Sequence, residues 1–173
     1  MQTADDGFRI DGYKFLPRSM IPEFKAFPYQ ADDVVKAEPA VSVRNARVAL
    51  LTSSGLYLRD RQPSFDLERE RREPLWGDPT YRVIPRDVGQ DEISVAHLHL
   101  NPDDIVVDFN IALPLELFAQ FEKGGRIGSL AQNNYSFMGY QGSSIAAWRD
   151  VYGPELARRL REERVDLLIL APG

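Results

Sequence analysis

The sequence predicts an α/β domain with a mainly parallel central sheet, flanking helices and an irregular N-terminal arm. Two observations carry this. Val48–Leu51 is continuously apolar and Val165–Leu170 is apolar but for Asp166, the pattern of parallel strands covered on both faces. Amphipathic helical patterns lie between them, the order that builds a parallel sheet with helices packed against it. With 173 residues, 43% hydrophobic and 27% charged, the chain has the make-up of one ordinary globular domain.

Residues 1–45 read as the arm. Phe8, Ile10, Tyr13, Phe15, Leu16, Met20, Ile21, Phe24, Phe27 and Tyr29 are apolar or aromatic, and Pro17, Pro22 and Pro28 interrupt any long helix. So many apolar side chains point to a segment wrapped over the domain, or to an arm that binds a partner or swaps into a second copy. The domain proper then runs over residues 46–173. Arg47–Ser54 is its first strand, and Gly55 ends it in a tight turn. Residues 59–80 are polar; the mixed signs of Glu68, Arg69, Glu70, Arg71, Arg72 and Glu73 describe a solvated face, with phosphate binding as the alternative.

Tyr81–Ile84 is a short strand stopped by Pro85. Ile93–Leu100 alternates as another, with Ile93, Val95 and His97 on one side. Pro114 opens a helix with Leu115, Leu117, Phe118 and Phe121 on its apolar face, and Gly124-Gly125 stops it. Ile127–Leu130 is a strand or a turn. Pro154 starts or kinks the last helix, where Leu156, Ala157 and Leu160 face inward and Glu155/Arg159, Arg158/Glu162 and Arg159/Glu163 pair outside. Val165–Leu170 closes the sheet as a buried strand.

Composition also bounds function. The 21 basic and 26 acidic side chains give a net charge of −5, so there is no global basic field for nucleic acid. No apolar run approaches the ~18 residues of a membrane span. Asp5, Asp6 and Gly7 stand where a signal peptide needs basic and then apolar residues, which makes the cytoplasm the expected location. Cysteine is absent, excluding disulfides, thiolate metal sites and cysteine nucleophiles within these residues.

Ligands of open α/β sheets bind beyond the carboxyl ends of the strands. That rule selects Thr52-Ser53-Ser54-Gly55 and Ala171-Pro172-Gly173. The first has hydroxyls and free N–H groups suited to a carboxylate or phosphate, or to satisfying its own turn. It has no Walker lysine and no G-x-G-x-x-G fingerprint. His97 and His99 stand two apart, on one side of an extended strand, fit for substrate contact, acid–base work or structural hydrogen bonds. Two histidines alone do not make a metal site, so none is expected. Asn133–Gly139 reads as a loop in which Tyr135 and Ser136 donate to a substrate carboxylate beside Gly139, or in which Tyr135, Phe137 and Met138 pack beneath it.

These segments together resemble a family. Arg47–Leu58, Gly77–Asp87, His97-Leu98-His99, Asn110–Leu117, Gly125–Leu130, Tyr135–Gly139 and Val165–Gly173 are similar, in order and spacing, to selenoprotein B of glycine/sarcosine/betaine reductase and to D-proline reductase. The resemblance covers roughly residues 46–173. It implies that the last strand leads into selenocysteine or cysteine, with a second cysteine three residues on and then a helix. The chain is thus expected to stop just short of its nucleophile, at a codon read as stop. The implied function is a selenol- or thiol-dependent reductase that attacks a small-molecule substrate and reductively cleaves a C–N bond. A thiol is its electron donor, it works as a homo-oligomer or within a reductase complex, and it needs no cofactor beyond the selenocysteine or cysteine pair. The alternative is a non-catalytic binding subunit that ends naturally at Gly173.

Overall fold

The computed structural model describes residues 18, 21–22, 37–98 and 100–172. The expected arm therefore falls largely outside the described residues, as do His99 and Gly173. Residues from Pro39 onward form one compact unit.

Strand β1 (Arg47–Thr52) is the hub of the sheet. Its apolar run places side chains on both faces, and all but Arg47 are buried. Along one edge it pairs in parallel first with β5 (Ser129–Leu130), at Arg47↔Ser129, and then with β6 (Asn133–Phe137), at Leu51↔Tyr135. Along the other edge it pairs in parallel with β7 (Leu167–Ala171), from Val48↔Leu167 to Thr52↔Ala171. Strand β3 (Tyr81–Pro85) runs antiparallel on the outer side of β6. The expected α/β class with a mainly parallel sheet is what the fold shows. A smaller antiparallel pair, β2 (Leu56–Leu58) with β4 (Ile93–Val95), lies beside it.

Helices cover both faces. Short α1 (Leu67–Arg72) begins at Asp66, whose side chain accepts from Arg69 N at 2.9 Å. The main core joins Val48 and Leu50 to Ile105 of α2 (Asp103–Val107) and to Leu115, Phe118 and Phe121 of α3 (Leu115–Lys123). On the opposite face Leu51 and Tyr135 pack against Leu156 and Leu160 of α5 (Gly153–Glu162). The stop at Gly124 and the start around Pro154 follow the sequence reading. A short α4 (Ile145–Ala147) leads into α5 through a π-helical turn, Trp148–Tyr152. Among the described residues no helix is long and apolar enough to cross a membrane.

Three expectations change. Asn133–Phe137 is not a loop but a strand inside the sheet. Its polar side chains stand in for backbone partners: Asn134 Oδ1 accepts from Leu50 N at 2.9 Å, where β5 gives way to β6, and Ser136 Oγ accepts from Leu56 N at 2.7 Å. Ser136 is buried at little cost in this way, whereas Asn134 Nδ2 is buried with no hydrogen-bond partner among the described residues. Second, the strand expected over Ile93–Leu100 ends at Val95. Ala96 N donates its last bond to Gly55 O at 2.9 Å, and there the partner strand turns away. Third, β7 is not strongly buried: Ile169 is 38% and Leu170 68% exposed. Among the described residues it has a neighbour on one edge only.

Arg86, just after β3, ties α3 to the sheet: Nη1 donates to Leu130 O at 2.7 Å and Nη2 pairs with the Glu122 carboxylate. That hydrogen bond holds the Glu122 carboxyl below its usual range. A depressed folded pKa means stability present above the unfolded pKa and lost as pH falls through the folded one. Glu122→Gln is accordingly expected to cost about 1 kcal/mol near pH 7. In urea unfolding the gap between wild type and variant should narrow as pH is lowered through the acid range, whereas a gap that does not change with pH refutes the assignment.

Candidate functional site

The parallel pairing of β1 with β7 brings their carboxyl ends side by side. Thr52 is opposite Ala171, and Ser53 N donates to Ala171 O at 3.3 Å. This is the edge at which open α/β sheets hold ligands. The turn that leaves β1 is closely built. Thr52 Oγ1 and Ser54 Oγ are 2.9 Å apart, and Ser54 N donates to Thr52 Oγ1 at 3.2 Å. Gly55 has φ +67°, and its N–H reaches Phe137 O at 3.1 Å. Gly139 N donates to Ser53 O at 3.1 Å, joining the exit of β6 to the same turn.

Above this edge opens a cavity of about 560 Å³, lined by Leu51, Ser53, Phe137, Trp148, Leu170, Ala171 and Pro172. Phe137 and Trp148 form one wall, their rings stacked at 4.6 Å and 10° between planes. Trp148 reaches it because the π-helical turn begins there. A smaller cavity of about 220 Å³ is lined by Ser54, Asn101, Asp104 and Ile111, and Pro172 borders both.

The candidate residues separate into two groups. Ser53 and Gly139 lie at the larger cavity or against the turn that lines it; a Cβ on Gly139 would stand 3.2 Å from Ser53 Cβ. Thr52, Ser54, Tyr135 and Ser136 are buried, each hydroxyl bonded to a group of the protein. Tyr135 lies on the same sheet face as Leu51, Phe137 and Trp148, and its hydroxyl is turned away to Glu163 Oε1, to which it donates at 2.9 Å and to which Asn133 Nδ2 also donates. Burial, and then the bond to Glu163, push the Tyr135 phenol well up. Burial and the bond to Glu155 likewise push Tyr81 up to about 12. Both are hydrogen-bond donors near neutral pH. His97 lies beyond the end of β4, so the extended geometry that would align it with His99 ends before it.

The aromatic wall escaped the sequence reading. Trp148 stands in an unremarkable helical stretch, and nothing in the order of residue types announces a π turn. The one available signal was the Gly153-Pro154 break that follows it. Among the described residues no three His, Cys, Asp or Glu side chains form a group able to hold a metal ion.

Comparison with known proteins gives this architecture relatives. Residues 14–172 match the family model for glycine/sarcosine/betaine reductase selenoprotein B. D-proline reductase subunit gamma of Acetoanaerobium sticklandii is 32% identical over 131 residues, covering 76% of this chain and 50% of that protein. Sarcosine reductase complex component B subunit beta of Peptoclostridium acidaminophilum is 26% identical over 164 residues, 94% of this chain and 34% of that protein. Glycine reductase complex component B subunit gamma of Symbiobacterium thermophilum is 26% identical over 150 residues, 86% of this chain and 34% of the relative. The chain thus spans about a third to a half of the length of these relatives. No solved structure matches it significantly.

Proposed function

Because the chain belongs to the glycine/sarcosine/betaine reductase selenoprotein B family, we propose that it forms the substrate-binding part of a selenol- or thiol-dependent reductase. The nucleophile is carried by residues that follow Gly173 in the coding sequence. In this reading the selenolate or thiolate attacks the carbon bearing the substrate nitrogen, the C–N bond breaks and the amine leaves with its electron pair. The thiolate of the second cysteine then attacks that selenium or sulfur. The Se–C or S–C bond breaks with its electron pair going to the carbon, which takes up a proton. A dithiol donor reduces the resulting selenenyl sulfide or disulfide while itself becoming a disulfide. In this reading the enzyme works in the cytoplasm and within a reductase complex; the names of the sarcosine and glycine reductase relatives describe a complex for those proteins.

One observation carries this reading: β7 ends beside the carboxyl end of β1 at the mouth of the larger cavity. A nucleophile placed after β7 would start within reach of whatever the cavity holds, and such positioning lowers a barrier substantially. Ser53 lines the cavity, whereas the N–H groups of Ser53, Ser54 and Gly55, expected to be open to a ligand, bond to Ala171 O, Thr52 Oγ1 and Phe137 O and keep the turn in shape.

The coding DNA tests it. An in-frame UGA after the Gly173 codon, followed by a nearby Cys codon and a helix-forming segment, is the expected result. A UAA or UAG there, or no open frame beyond, supports the binding-subunit alternative instead. The purified 173-residue chain should release no amine from glycine, sarcosine or betaine, and should not open the ring of D-proline, with dithiothreitol. Turnover by that chain would overturn the nucleophile assignment, since it contains no cysteine.

A further inference from the structure

The cavity at the ends of β1 and β7 has a chemical character of its own. Its volume, about 560 Å³, lies within the range of small-molecule pockets, roughly 300–1,000 Å³. Leu51, Phe137, Trp148, Leu170 and Pro172 supply apolar walls, and the polar side-chain atoms on its lining residues are Ser53 Oγ and the Trp148 indole N–H. An amino acid as small as glycine, placed deep inside, would bring an ammonium and a carboxylate among these walls without charged partners. Buried charges without partners are strongly disfavoured. The charged end of a ligand therefore belongs at the mouth, in contact with solvent, and the interior calls for an apolar body.

The wall is also held in shape. Trp148 is the first residue of a π-helical turn, a feature that concentrates at functional sites, and it lies flat on Phe137. Leu170 adds apolar area to the lining.

We propose that this cavity takes an amino acid whose nitrogen or α-carbon bears a bulky apolar group, in preference to glycine or sarcosine. The proposal rests on the site assigned above and names its substrate class. The apolar group lies between Leu170 and the Phe137–Trp148 stack, and the charged end stays beside Ser53 and the end of β7.

The 173-residue chain with Trp76→Phe tests this. The sequence has two tryptophans, so Trp148 becomes the sole indole, and Trp76 lines a different cavity. N-benzylglycine is titrated against Trp148 emission and compared with sarcosine. The expected result is a saturable change with half-saturation at least about tenfold lower for N-benzylglycine, because its ring adds apolar area to bury. Leu170→Asp in the same background should weaken that binding about tenfold or more; circular dichroism verifies its fold, and the sarcosine comparison stands without it. Equal half-saturation for the two ligands overturns the proposal. So does no saturable response to N-benzylglycine up to about 10 mM, or an emission change that follows protein concentration, which would place a second copy in the cavity. The coding-DNA test is independent: binding can fail with the nucleophile assignment intact, and the reverse.

Discussion

Gly55→Ala is expected to destabilise the domain by about 2–5 kcal/mol. Two costs combine at this position. Its φ of +67° belongs to the left-handed region, which disfavours an L side chain by about 1–2 kcal/mol. A Cβ there would stand 2.2 Å from Ala96 O, a backbone atom with no rotamer to change. Relieving that overlap means shifting the chain after β4, and overpacking of this kind costs about 1–3 kcal/mol. Urea unfolding measures the sum. A loss below about 0.5 kcal/mol would mean the turn is not built as described. The result bears on function as well: it would establish Gly55 as a structural requirement whether or not a ligand sits nearby.

The second large effect is expected at Thr52. Its hydroxyl faces Ser54 Oγ at 2.9 Å and accepts from Ser54 N at 3.2 Å, with both residues fully buried. Thr52→Val keeps the shape and removes the oxygen, leaving buried Ser54 groups without it. The expected cost is about 2 kcal/mol, or a fall in Tm of about 4–8 °C for a chain of this size. Thr52→Ser, which retains the oxygen, should recover the hydrogen-bonding part of that loss. If Thr52→Val melts like wild type, the hydroxyl is not structural, and a role toward ligand regains its place.

These two residues show where sequence reading reaches and where it stops. The strand at Arg47–Thr52 was legible because a run covered on both faces needs no partner information to be recognised. Its neighbour β7 carries the same kind of run, yet Leu170 is 68% exposed. An apolar run reports that a strand can be buried, not which of its sides another element covers. β6 erred the other way: Asn133, Asn134 and Ser136 look like loop residues, but two of their side chains bond the backbones of β1 and β2. Which polar side chain will complete a ladder is a matter of three-dimensional register. The edge of the sheet that holds the candidate site was legible from strand direction alone. The Phe137–Trp148 wall was not, since it depends on a helical irregularity without a residue code.

The central place of β1 has a consequence for how the protein is made. Its parallel partner at Ser129 lies 82 residues further along the chain from Arg47. On the other edge, Asp166, just ahead of β7, lies 119 residues from the same arginine. At a synthesis rate of about 5–20 residues per second, the first of those intervals takes roughly 4–16 s. For much of it Val48–Leu51 has left the ribosome with none of its three parallel neighbours yet made. A nascent chain of this design depends on something else to shelter Val48–Leu51, and holdase chaperones that recognise short apolar stretches are suited to that interval.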